Sequence, residues 1–113
     1  MFSPVEYLRH ILDEVDFLLD KSSKITKQDL LNDPILQRAF TRSLEIIGEA
    51  VKKLPKSWRD MHNQIDWRSI AGMRDKLIHG YFSVDYTLVW DVIINELPEL
   101  KPLLEELIKQ ENE

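Results

Sequence analysis

The chain has 113 residues, 43% of them hydrophobic and none of them cysteine, and carries a net charge of -5. That is enough apolar material for one modest core and too little length for two, so residues 1–113 are expected to form a single domain. The missing thiols exclude disulfides, thiolate zinc sites and a cysteine nucleophile, and the acidic balance argues against a protein that coats nucleic acid through surplus Lys and Arg.

In chain order, Ser3, Pro4 and Glu6 have the spacing of a capping box, and Val5, Leu8, Ile11, Leu12, Val15, Leu18 and Leu19 then recur at helical period up to about Asp20. Acids run through this stretch, so it reads as neither a signal peptide nor a membrane span, and a cytoplasmic location is expected. Thr26 and Asp29 repeat the capping spacing within a polar connection. Asp33 followed by Pro34 opens a second long helix, with an apolar face of Ile35, Leu36, Ala39, Phe40, Leu44, Ile47, Val51 and Leu54. Gly48 lies inside it, where a glycine costs about 1 kcal/mol relative to alanine and either marks a close approach of another backbone or is simply tolerated.

Asp66 is placed to cap a third helix from Trp67 to about His79, ended by Gly80. A last helical stretch begins near Asp85 and is bent or divided by Pro98 and Pro102. Period-two alternation is nowhere sustained, so the fold class predicted is all-α, a bundle of about four principal helices without a sheet. A small domain with broad apolar helix faces is also expected to form a dimer.

Charge is unevenly spread. Residues 38–76 hold 9 basic against 5 acidic groups, while residues 77–113 hold 2 against 8. The positive field therefore runs from Arg38 to Lys76, where it can face a phosphate chain.

The segment most suggestive of chemistry, MRDKLIHGYFSVDY at 73–86, begins at the end of this stretch and places Arg74, Asp75, His79 and Tyr81 close together. A histidine that titrates near neutrality can take a proton from a ribose 2′-OH or give one to a leaving 5′-oxygen, a role worth about 10²–10⁴ in rate. A permanently charged guanidinium can hold the phosphate and the charge that builds on it, so the reaction needs no metal and no cofactor. On an ideal helix Asp75 would neighbour His79 and orient its ring. Arg74, five residues before His79, would lie roughly 140° away from it around the helix. The two meet at one phosphate through long side chains, through distortion of the helix end, or by pooling residues from two subunits.

Arg74-x4-His79-x-Tyr81, with LEIIGEAVKKLP at 44–55, IDWRSIAGMRDKLIHGYF at 65–82 and VWDVIINELPEL at 89–100, resembles the HepT-like toxin branch of the HEPN superfamily. The resemblance covers nearly the whole chain. It implies a helical homodimer in which Arg74 and His79 of both subunits line one cleft and cleave RNA without a metal, as a type VII-like toxin. It further implies a MntA-like nucleotidyltransferase antitoxin that transfers AMP to Tyr81, and a supporting role for Asp75.

Glu45 and Glu49, four apart on the second helix, are read as cleft-lining rather than metal-binding, because Arg42, Lys52 and Lys53 lie within a turn of them. His10 and His62 lack ligand spacing, and Trp58, Trp67 and Trp90 are expected as core anchors rather than base-stacking platforms. The competing functional readings are a non-catalytic helical module that binds a nucleotide or a partner, and an antitoxin-like regulatory subunit. Retention of both Arg74 and His79 favours the enzyme.

Overall fold

The computed structural model describes residues 3–79 and 83–112, and of His79 the backbone. Helices α1 (Pro4–Ser22), α2 (Lys27–Asn32), α3 (Pro34–Lys53), α4 (Lys56–Met61) and α5 (Trp67–Leu77) lead to two short strands, β1 (Ile78–His79) and β2 (Ser83–Val84). A final helical run comprises α6 (Tyr86–Asp91), a π-helical segment over Val92–Glu96, and α7 (Leu97–Glu111). The architecture is all-α, and its long members are α1, α3, α5 and the run that closes the chain.

The starts of these helices follow from short polar side chains that satisfy the first free N–H groups. Thr26 and Asp29 form the reciprocal capping box expected of them, the Asp29 amide donating to Thr26 Oγ1 at 3.2 Å and the Thr26 amide to Asp29 Oδ2 at 2.8 Å. Asp33 accepts from the amides of Ile35 and Leu36, Asp66 from Ser69, and Asp85 from Leu88. Ser3 departs from expectation: it sits at the N-cap of α1 with extended backbone, but its side chain makes no capping bond, and Pro4 alone starts the helix.

Packing follows the helical period. Leu8, Ile11, Val15 and Leu18 of α1 are fully buried against Phe40, Leu44, Ile47 and Val51 of α3 and Leu104 and Leu107 of α7. A salt bridge of 2.8 Å from Lys101 Nζ to Asp16 Oδ1 ties α7 to α1, and the hydrogen bond to Asp16 raises the Lys101 pKa above its usual value. Ile35, expected on the inner face of α3, is 76% exposed, because the first turn of that helix projects beyond the core and Leu36 and Phe40 turn inward instead.

Pro98 explains the π-helical segment. Lacking an N–H, it cannot donate back to the preceding turn, and the register loosens just before it, with the Leu97 amide bonding to the Val92 carbonyl. The helical run continues through Pro98 without a break, and Pro102 is carried inside α7.

Helix α5 ends two residues earlier than the sequence suggests, at Leu77. Ile78 is extended (φ -115°, ψ 110°), and β1 pairs antiparallel with β2 in the register Ile78 with Val84 and His79 with Ser83. The Asp85 amide donates to the Leu77 carbonyl at 2.9 Å, so a carbonyl left open by the helix end is satisfied by the returning strand. With Leu77 and Ile78 buried, the extended turn covers the core while carrying His79 out of the helix. This two-residue ribbon is the one departure from helix and loop among the described residues. Gly80, expected to stop α5, lies outside them.

Candidate functional site

Helix α3 presents a second stripe beside its apolar one. Arg38, Thr41, Glu45, Gly48 and Lys52 recur at spacings of three and four, so they share one face of the helix. Helix α5 lies over the far end of this stripe. A Cβ added at Gly48 would stand 3.6 Å from Arg74 Cβ and 3.9 Å from the Ala71 carbonyl oxygen, the close approach that a glycine in mid-helix foretold. Those are ordinary contact distances, so the site has room for a methyl group and for little more.

This approach sets Arg74 over a polar cavity of about 210 Å³ lined by Glu45, Gly48, Glu49, Lys52, Arg74 and Asp75. Arg74 Nη1 donates to Asp75 Oδ1 at 3.3 Å, and Nη2 lies 3.8 Å from Glu45 Oε2. Both pairs are partly open to solvent, with Arg74 38% exposed, Glu45 30% and Asp75 69%. Such pairs contribute about 0–1 kcal/mol, so they aim the guanidinium without committing it, and an incoming phosphate can replace them. Glu45 and Glu49 both line this cavity. No group of three or more His, Asp or Glu side chains suited to a metal ion occurs among the described residues.

The helix neighbourhood expected between Asp75 and His79 does not form, because α5 stops before His79. Asp75 accepts from Arg74. The separation of roughly 140° also lapses, since His79 lies on the ribbon and not on the helix; of the three ways to bring it near Arg74, distortion at the helix end is already built into the backbone. Tyr81 lies outside the described residues.

Thr41 and Glu45 continue the stripe into an adjoining cavity of about 350 Å³, lined also by Pro34, Gln37, Arg38, Val84 and Tyr86. Tyr86 was not singled out in the sequence, and only the return of β2 toward α3 brings it here. The three-and-four spacing from Arg38 to Lys52 was the available signal for the rest. A roomier groove of about 520 Å³ between α5 and α7 holds Ile65, Met73, Leu77, Leu97 and Leu103 with Lys76 and Glu99, and offers neither histidine nor arginine.

The other histidines and the tryptophans have structural work. His62 stacks on Trp58, ring centres 4.1 Å apart, with Nδ1 2.7 Å from the Trp58 carbonyl oxygen. Trp58 Nε1 donates to Glu111 Oε1 at 2.9 Å, joining α4 to the end of α7, and Trp67 Nε1 donates to the His62 carbonyl at 2.9 Å. The ring of His10 stands edge-on to Tyr7.

A family model described as "Ribonuclease HepT-like" matches residues 11–107. The chain belongs to the HepT-like ribonuclease family. A protein of Caldanaerobacter subterraneus subsp. tengcongensis named as a putative RNase is 51% identical over 111 residues, 98% of this chain and 99% of its own. A Methanocaldococcus jannaschii protein, likewise named a putative RNase, is 41% identical over 91% of this chain and 85% of its own. A protein of Thermococcus cleftensis named "Probable ribonuclease HepT" is 40% identical over 92% of this chain and 94% of its own. No solved structure matches the chain significantly. No helix among the described residues is long and apolar enough to cross a membrane.

Proposed function

We propose that this HepT-like chain is a metal-independent endoribonuclease toxin that cleaves RNA with Arg74 and His79. The observation that carries the reading is the placement of Arg74: a permanent cation held by weak, replaceable pairs in a polar cleft, on the helix whose end turns directly into the strand bearing His79. In the reaction, His79 withdraws the proton from a ribose 2′-OH, the 2′-oxygen bonds to the adjacent phosphorus, and the bond from phosphorus to the 5′-oxygen breaks. The leaving oxygen takes up a proton, and a cyclic phosphate remains. Arg74 binds the non-bridging oxygens and stabilises the charge that grows on them. Asp75 and Glu45 hold the guanidinium in place between turnovers.

The working unit in this reading is a homodimer that pools Arg74 and His79 from two chains in one cleft. Control rests on a MntA-like nucleotidyltransferase antitoxin that attaches AMP to the Tyr81 hydroxyl. Tyr81 stands two residues beyond His79 in the chain, and each AMP brings bulk and a phosphodiester charge that competes with RNA for Arg74.

Arg74→Ala and His79→Ala should each abolish cleavage of an oligoribonucleotide while leaving the circular dichroism spectrum unchanged, and wild-type activity should survive EDTA. Activity that vanishes with chelator and returns with magnesium would overturn the metal-free mechanism. Light scattering should report twice 13.4 kDa. Treatment with ATP, magnesium and the antitoxin should add mass in steps of one AMP at Tyr81 and silence the enzyme, with Tyr81→Phe refractory to both.

A further inference from the structure

The cavity of about 350 Å³ beside Arg38 has no part in the cleavage chemistry, yet it touches both elements that do. Glu45 lines it on one side and the Arg74 cleft on the other. Val84 lines it from β2, one residue after Ser83, the backbone partner of His79. The cavity therefore borders Arg74 through α3 and His79 through the ribbon.

Its lining is suited to a nucleotide. Arg38 is exposed and has no ion-pair partner among the described residues, so its charge is available at any physiological pH. Tyr86, at the first position of α6, is half-buried, with its ring packed at the edge of the core, and offers a fixed aromatic surface. A cation for phosphate beside an aromatic ring for a base is the combination by which proteins hold single-stranded nucleic acid without reading its sequence. The donor end of Gln37 is already used, since Nε2 donates to the carbonyls of Leu30 and Leu31. Glu45, the wall between the two cavities, is paired with Arg74, so its charge is partly offset where the strand would cross.

We propose that this cavity is a nucleotide subsite next to the scissile bond, in which Arg38 binds the neighbouring phosphate and Tyr86 supports the neighbouring base of a single-stranded RNA. The proposal rests on the reading of Arg74 and His79 as the cleaving pair. It assigns Arg38 and Tyr86 to substrate binding and not to bond-making, so their loss is felt in affinity for the strand.

Steady-state cleavage of a single-stranded oligoribonucleotide and of a dinucleotide tests it, using the full chain and the variants Arg38→Ala, Arg38→Lys and Tyr86→Leu. Arg38→Ala should raise KM for the oligonucleotide about tenfold with kcat little changed, as loss of uniform binding requires. It should leave the dinucleotide, which lacks the neighbouring phosphate, cut as before. The dependence of log affinity on log salt should fall by about 0.7, the single-strand value for one phosphate. Arg38→Lys should recover part of the affinity, and Tyr86→Leu, which keeps apolar packing, should weaken binding without altering the salt slope. Lys109→Ala, a cation at the far end of α7, should change nothing. An Arg38→Ala enzyme with unaltered KM and salt slope overturns the subsite, and so does an equal loss on the dinucleotide.

Binding of an all-2′-O-methyl oligonucleotide, followed by fluorescence anisotropy, separates this proposal from the cleavage reading. If the wild type cuts no RNA but binds this strand, and Arg38→Ala weakens that binding about tenfold, the subsite stands and the cleavage reading falls. Equal binding by both proteins overturns the subsite whatever the enzyme does.

Discussion

The two faces of α3 are built from the same helix and answer to different physics. On one, Phe40, Leu44, Ile47 and Val51 are fully buried against α1 and neighbouring elements. On the other, Arg38, Thr41, Glu45, Gly48 and Lys52 line two polar cavities under α5 and β2. The first face derives its energy from apolar area removed from water and is intolerant of lost volume. The second contributes little to stability, because its ion pairs are half open to solvent, and what it supplies is the placement of charge. Helix α5 shows the same division: of its eleven residues only Trp67 and Leu77 are buried, Ile70, Ala71 and Met73 pack partly against the core, and Arg68, Ser69, Asp75 and Lys76 are exposed.

The comparison breaks most visibly on the apolar face. Phe40→Ala should cost about 3–5 kcal/mol in urea unfolding, since the ring is fully buried and its loss leaves a cavity in the core. A cost below 1 kcal/mol would mean that the interior is not the source of stability. On the polar face, Gly48→Leu should lower cleavage by about a hundredfold, because the added side chain has to push α5 and Arg74 aside and small misplacements are costly in rate. Gly48→Ala, by contrast, fits at contact distance and should gain up to about 1 kcal/mol in stability from the better helix former, with activity kept. Equal kinetics for the leucine and alanine variants would show that α5 does not depend on this approach.

Smaller effects sharpen the picture at the helix starts. Asp33→Ala should cost about 1 kcal/mol by removing the acceptor for two amides of α3, a loss shared by both faces. At the start of α5, the side-chain hydrogen bond from Ser69, followed by its backbone bond, holds the Asp66 carboxyl below its usual 3.8. A lowered folded-state pKa stabilises the fold above the unfolded value and ceases to do so as pH falls through the folded one. Asp66→Ala should therefore melt slightly below wild type at pH 7, with the gap narrowing in thermal scans below about pH 4. A gap that widens in acid would refute this linkage.

Sequence alone determined the helical class, the apolar stripes of α1 and α3, the caps at Thr26 and Asp66, and the helix starts at Asp33 and near Asp85, because each is a local pattern with a period or a spacing that one helix enforces. It also brought forward Arg74 and His79, and the blocks whose resemblance pointed to the family that the comparisons then showed. It misjudged Ile35 and Ser3, where burial and a side-chain bond depend on what lies beyond the helix end. It also carried α5 through His79, since Leu77 and Ile78 fit a helix as well as a strand. Only the tertiary structure decided that the chain leaves the helix at Leu77, because the gain lies in pairing with Ser83 and Val84 and in the bond from Asp85, contacts with the returning strand that no helical period announces. The same return sets Tyr86 beside Arg38, 48 positions away in the chain, and α5 across Gly48. Such neighbours exist only once helices have packed, since the burial that drives the packing is non-directional and leaves the polar stripe to be arranged by the fold around it.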